Sequence, residues 1–323
     1  MKAITNTAPG KLEWMDWPIP QPGPGQVRIR TGACGICATD VLMVAGWERT
    51  ALPAIPGHEW SGTVDAVGPG GDAALVGRRC VAENVLADGG EVGFEHPGGY
   101  AQYVLSEERN IHPLPANFPL DAAALIEPLA VVVRALRRLR LEDKRSALVC
   151  GDGPVGLLAV LLLRQAGVEE IVLLGGRAPR LAIGAELGAS AVLDYHSLSG
   201  PLSGAIRQQH GPFANVIEAS GAPEAMFAAL EVSAHAGKVL VVGDYGAARA
   251  DFPWNQLLHH EWELIGSNAS AGAWPEAVRL AVEERLPLAR LVSHRVPAAD
   301  FQTGFDLTKS RSRDVVKVVM EWE

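Results

Sequence analysis

The chain is poor in several things, and each shortage excludes a class of protein. Four cysteines in 323 residues, Cys34, Cys37, Cys80 and Cys150, are too few for a disulfide framework, so a reducing, cytoplasmic setting is expected. Positive charge is short: 28 Lys and Arg face 37 Asp and Glu. That balance leaves no general basic face for nucleic acid or an anionic membrane. Long apolar runs are missing, since the longest, residues 155–163, ends in Arg164-Gln165 and is too short to span a bilayer. The first residues, Met1-Lys2-Ala3-Ile4-Thr5-Asn6, lack the basic-then-apolar pattern of a targeting segment.

Apolar residues, by contrast, make up 48% of the chain, enough to bury real cores, and the length suggests about two domains. The first 120 or so residues read as short strands. Val27-Arg28-Ile29-Arg30 alternates, as Gln102-Tyr103-Val104-Leu105 does more weakly, and clusters such as Gly68-Pro69-Gly70-Gly71 punctuate them. A barrel-like or sandwich-like β domain is expected there.

Near residue 121 the pattern changes. A helix-like stretch over 121–141 is interrupted by Pro128. Strands at 147–150, 170–174, 191–193, 215–218 and 239–242 then alternate with helices at 155–166 and 179–187. Such alternation implies parallel βαβ units. Strand character returns after about residue 288, ending in Val315-Val316-Lys317-Val318-Val319-Met320. The expected organisation is a β domain over 1–129, completed by 269–323, around an α/β domain over 130–268.

Gly151-Asp152-Gly153-Pro154-Val155-Gly156 follows a strand and opens an apolar helix, the context a G-x-G-x-x-G needs to bind a dinucleotide. The first glycine permits the turn, the second admits a pyrophosphate, and the third packs helix on strand. An acid is expected about 20 residues on, to hold a ribose hydroxyl. Gly175-Gly176-Arg177 stands there instead, with Arg180 following. Glycine leaves room and arginine offers bidentate contacts, so NADP(H) is expected over NAD(H).

A metal constellation lies upstream. Cys37 sits in Gly35-Ile36-Cys37-Ala38-Thr39-Asp40, His58 and Glu59 in Gly57-His58-Glu59-Trp60-Ser61-Gly62, and Glu127 in Ile126-Glu127-Pro128-Leu129. A thiolate, an imidazole and one or two carboxylates suit tetrahedral zinc with an open position. Cys34 makes a C-x-x-C with Cys37, but without a second such pair it reads as a small apolar side chain.

These pieces, with Gly98-Gly99-Tyr100-Ala101-Gln102-Tyr103 and Glu127-Pro128-Leu129-Ala130, occur in an order that resembles the zinc-containing medium-chain dehydrogenase/reductase superfamily. Glu-Pro-Leu-Ala is most similar to its sorbitol and threonine dehydrogenase branches. The resemblance runs along essentially the whole chain. It implies a GroES-like catalytic domain, a Rossmann cofactor domain with a doubly wound parallel sheet, and an active site in the cleft between them. Cys37 and His58 match zinc ligands. Glu59 and Glu127 match carboxylates that reach the metal directly or at one remove, and which of them completes the sphere stays open. Thr39 matches the hydroxyl that touches the substrate oxygen. Ser220 and Gly243 match strand-end positions near the cofactor, and Ser267-Asn268 lies near the nicotinamide.

Three departures shape the expectations. Residues 84–97 are short and hold no cysteine where many members carry a structural zinc, so one zinc per chain is expected. Leu42 replaces a histidine that passes protons to solvent, so a path from Thr39 must run through water, Glu59 or the cofactor ribose. The ribose acid is missing, which is unusual for NAD-using polyol enzymes. The expected activity is reversible interconversion of a secondary alcohol (a polyol, sugar or related alcohol) and its ketone by hydride transfer to NAD(P). A homodimer or homotetramer is expected, joined through regions such as 239–242 and 254–262. The alternatives are a zinc-free quinone or enoyl reductase of the same architecture and a non-catalytic NADP(H)-binding sensor.

Overall fold

The computed structural model describes residues 1–47, 49–249, 252, 254–310 and 312–322. Among these residues the chain runs β1 (Lys2–Ala8), β2 (Lys11–Asp16), β3 (Gln26–Ile36), α1 (Ala38–Val44), β4 (Glu59–Val67), β5 (Arg79–Ala82), β6 (Tyr103–Glu107), β7 (Ile111–Pro113), α2 (Leu120–Ala123) and α3 (Ile126–Leu139). There follow β8 (Ser146–Cys150), α4 (Pro154–Gln165), β9 (Glu170–Gly175), α5 (Ala178–Glu186), β10 (Ala191–Asp194), α6 (Leu202–Gln209), β11 (Phe213–Glu218), α7 (Pro223–Glu231), β12 (Ser233–Val241), α8 (Trp254–His260) and β13 (Glu263–Gly266). The tail supplies α9 (Trp274–Val282), β14 (Val292–Pro297), α10 (Phe301–Ser310) and β15 (Lys317–Glu321). No helix among the described residues is long and apolar enough to cross a membrane.

Two compact units result, Met1–Ala130 with Ala271–Glu323, and Val131–Ser270. In the first, one sheet runs β14-β15-β3-β4-β5-β7, with β6 also on β3, and β1 and β2 form a separate hairpin. The tail enters this sheet because β15 pairs antiparallel with β3, Met320 opposite Cys34 and Val318 opposite Ile36. On the other side of β3, Gly35 lies opposite Glu59 of β4. The end of β3 and the starts of β4 and β15 therefore meet at one end of the sheet. Cys34, Trp60, Tyr100, Phe305 and Met320 fill the core beneath them. Burial pushes the Cys34 thiol well above its usual range, and Cys34 packs as the small apolar residue that its isolation suggests.

In the second unit six strands lie in the order β10-β9-β8-β11-β12-β13, every neighbour parallel. Order reverses between β8 and β11, the switch point beside which such sheets bind ligands. Strand β8 is buried throughout, as a strand covered on both faces must be.

Two local expectations change. Pro128 does not break a helix. It is the third residue of α3, within the first turn, where backbone N–H groups have no partner inside the helix, and the interruption falls before Ile126 instead. Within residues 239–242, Val239 and Leu240 are wholly buried between β11 and β13 and are not free for an interface, while Val241 and Val242 are half-buried.

Candidate active site

The first unit holds the metal constellation. Ligand atoms of Cys37, His58 and Glu59 all lie within 4.8 Å of one another. Their proximity follows from the sheet: Cys37 directly follows β3, and His58 and Glu59 enter β4. Gly35 is required by the same crowding, since a Cβ there would overlap the Glu59 carboxylate.

Asp40 supports both flanking ligands. Its Oδ2 accepts the Cys37 backbone N–H at 2.8 Å and the Tyr100 hydroxyl at 2.9 Å. Its Oδ1 lies 3.1 Å from His58 Nδ1. With Nδ1 engaged, the imidazole presents Nε2, the arrangement in which a carboxylate orients a metal-binding histidine. Burial opposes ionisation of Asp40, but the His58 charge and these hydrogen bonds outweigh it and hold the carboxyl below its usual range. Burial likewise opposes the charged His58 ring, yet Asp40 and Cys37 hold it well above the ordinary imidazole range. A metal arriving at this imidazole would displace that proton.

Glu59 has its own partner. Lys317 Nζ, from the start of β15, donates to Glu59 Oε1 at 2.6 Å and Oε2 at 2.7 Å, with Ile36 O at 3.4 Å. Both side chains are buried, at 4% and 2% exposure, so each charge depends on the other. Burial disfavours the ammonium, but the charges and hydrogen bonding around it push Lys317 upward.

Glu127 falls outside the 4.8 Å group among the described residues. It is half-buried. Burial first, helped by the Glu59 charge and opposed by His58 and Lys317, pushes its carboxyl up to about 7. Thr39 Oγ1 sits 3.6 Å from Cys37 Sγ. Leu42 is half exposed on α1. Phe94 stacks at a tilt against His58, ring centroids 4.8 Å apart, and Trp47 meets Phe94 edge-on. Trp274, by contrast, is core, with 1% exposure.

The second unit holds the glycine loop. Gly151 has φ +118° and packs against the Ala219–Ser220 peptide. A Cβ on Gly156 would overlap Gly151 O, whereas one on Gly153 would meet nothing within 4 Å. The open space lies at the N-cap of α4, where Pro154 starts the helix and no side chain caps the amides of Val155 and Gly156. Free amides and room beside the second glycine fit a pyrophosphate.

Ser220 and Gly243 meet around buried Glu218 at the end of β11. Glu218 accepts the Ser220 N–H at 2.8 Å and the Gly221 N–H at 3.2 Å, as well as the Ser220 hydroxyl, and a Cβ on Gly243 would overlap its carboxylate. Ser267 N donates to Val241 O at 3.1 Å, while Asn268 is exposed. Arg177 Nη1 pairs with Asp152 at 2.7 Å and Arg180 Nη1 stands 3.8 Å from the same oxygen, so neither guanidinium is simply solvated.

Lys317, Asp40, Glu218 and Asp152 escape the sequence reasoning. Lys317 does leave a signal: a lone charge within Val-Val-Lys-Val-Val-Met must be snorkelling or paired, and here it is paired.

Comparison with known proteins meets this geometry. Residues 23–116 match the alcohol dehydrogenase GroES-like domain and residues 120–322 match the glucose dehydrogenase C-terminus. D-arabitol-phosphate dehydrogenase of Enterococcus avium is 28% identical over 99% of this chain and 97% of its own. L-threonine 3-dehydrogenase of Rhizobium johnstonii is 28% identical over 100% and 99%. Among solved structures, an Escherichia coli alcohol dehydrogenase complexed with NADH superposes with a TM-score of 0.92 at 22% identity, over 99% of both chains. A Sinorhizobium meliloti dehydrogenase bound to NADP gives 0.90 at 23%, over 99% and 98%. With two family models spanning nearly the whole chain over a GroES-like domain and a Rossmann-type sheet, the protein belongs to the zinc-type medium-chain dehydrogenase/reductase family of oxidoreductases.

Proposed function

We propose that the chain is a cytoplasmic, zinc-dependent dehydrogenase that interconverts a secondary alcohol and its ketone by hydride transfer to NAD(P). The observation that carries this reading is the Cys37, His58 and Glu59 cluster, whose ligand atoms converge within 4.8 Å. Its donor set, one thiolate, one imidazole and one carboxylate, suits a catalytic zinc with an open position. Cys37 and His58 would hold the ion, with Glu59 or Glu127 completing the sphere. Bound there, zinc would supply Lewis acidity toward a substrate oxygen.

The chain's own residues do the rest. Asp40 holds the His58 ring and the Cys37 amide in place. Lys317 governs the Glu59 carboxylate, so a shift of Glu59 toward the ion must share it with the ammonium. Thr39, beside Cys37, would receive the alcohol proton, which with Leu42 in place of a basic side chain would leave through water or Glu59. Phe94 and Trp47 shield the His58 side of the site.

The metal half comprises residues 1–129 completed by 269–323, and the nucleotide half residues 130–268. The glycine loop, Gly151 to Gly156, takes the pyrophosphate, while Ser220, Gly243, Ser267 and Asn268 line the nicotinamide end. NADP(H) is favoured over NAD(H), because strand β9 ends in glycine where an acid would repel a 2′-phosphate, and Arg177 and Arg180 stand beside that end. The substrate class is a polyol, sugar or related alcohol, the chemistry in the names of the arabitol-phosphate and threonine relatives. Exposed Trp254 and Leu258 on α8, with Leu264 on edge strand β13, support a homodimer or homotetramer.

Cys37→Ala and His58→Ala, assayed on a panel of polyols and amino alcohols with both cofactors, test the reading. Turnover should vanish in both variants while NAD(P)H binding persists. Wild-type turnover in either variant would overturn it.

A further inference from the structure

The end of β9 has no room for the ribose-binding acid. A Cβ on Gly175 would come within 2.6 Å of the Asp152 Cβ, and one on Gly176 would overlap the Tyr195 ring. An acid reaches the same place from another direction. Asp152, between the first two glycines of the loop, has a side chain only 3% exposed. Its Oδ2 accepts the backbone N–H groups of Gly176 at 3.0 Å and Arg177 at 2.9 Å. Its Oδ1 takes Arg177 Nη1 at 2.7 Å, with Arg180 Nη1 at 3.8 Å.

Resting on the reading that NADP(H) binds at this loop, we infer that Asp152 is a specificity-determining residue that limits the preference for the 2′-phosphate. The Asp152 carboxylate opposes the Arg177 guanidinium where strand β9 ends, the place at which this kind of sheet meets the ribose 2′ position. A 2′-phosphate must share Arg177 with Asp152 and tolerate a buried carboxylate beside it. A neutral 2′-hydroxyl meets neither demand. Asn at 152 keeps an acceptor for the Gly176 and Arg177 amides, so the turn persists and the charge is what is lost. Unit charges a few ångströms apart in a partly buried site interact more strongly than loss of one side-chain tether costs.

The test measures NADPH and NADH affinities of the intact protein by nicotinamide fluorescence. The proteins compared are wild type, Asp152→Asn, Arg177→Ala and the double variant, with melting temperatures to confirm folding. Asp152→Asn raises the local balance by one charge and should tighten NADPH about tenfold while leaving NADH within about twofold. Arg177→Ala lowers it by one and should weaken NADPH by about the same factor. The double variant restores the balance, and its NADPH-to-NADH ratio should return to within about threefold of wild type. If Asp152→Asn fails to fold, Asp152→Ser should show the same tightening. Unchanged or weakened NADPH binding in the folded variant, or a double variant no better than Arg177→Ala, overturns the inference. The wild-type ratio is a separate readout: a preference for NADH would sink the NADP(H) reading, and the shift at position 152 would still decide this one.

Discussion

Replacing Lys317 by methionine should expose how the site is held before any metal arrives. The substitution keeps an unbranched apolar stem, one atom shorter, but deletes the ammonium that donates to both Glu59 oxygens, at 2.6 and 2.7 Å. Glu59 keeps 2% of its surface exposed, so water cannot take over. Removing one member of a buried pair strands the other charge, a loss of about 3–5 kcal/mol. For a unit of this size about 1 kcal/mol moves the melting temperature roughly 2–4 °C, so the first transition of the chelator-treated protein should fall by roughly 6–20 °C. Lys317→Met with Glu59→Gln removes the stranded charge and should recover at least half of that loss. Differential scanning calorimetry reads all three proteins. A single variant melting within about 1 °C of wild type would refute the reasoning, as would a double variant less stable than the single.

Other consequences are accessible to simple assays. Asp40→Asn leaves the cluster intact but loosens the His58 ring and the Cys37 amide, and zinc affinity by competition with a chelator should fall about 10–100-fold. Gly156→Val drives a side chain into Gly151 O and should abolish NADPH binding by fluorescence titration, with zinc content unchanged. Gly35→Ala presses a methyl group on the Glu59 carboxylate and should destabilise the first unit by about 1–3 kcal/mol, read by urea unfolding.

Much of this architecture is legible in the sequence because it rests on local signals. The glycine loop sits between an apolar strand and an apolar helix, and both form where the pattern puts them. Cys37, His58 and Glu59 converge because their short motifs bracket adjacent strands. The contacts that tune the sites are harder to read, since they join residues far apart. Lys317 reaches Glu59 across 258 positions, through a β15–β3 pairing that no local pattern specifies. Asp152 hides within a glycine motif whose variable positions carry no expected role, and only the fold shows it touching Gly176 and Arg177. Pro128 misleads because a proline looks like a break, while in a first helical turn it costs no hydrogen bond.

The zinc content of the purified protein tests the central claim most directly. Elemental analysis should find one zinc per chain in the wild type, and loss of that zinc in Cys37→Ala and His58→Ala with the fold retained by circular dichroism. A protein that holds no zinc after incubation with the metal, or variants that keep it in full, would contradict the account.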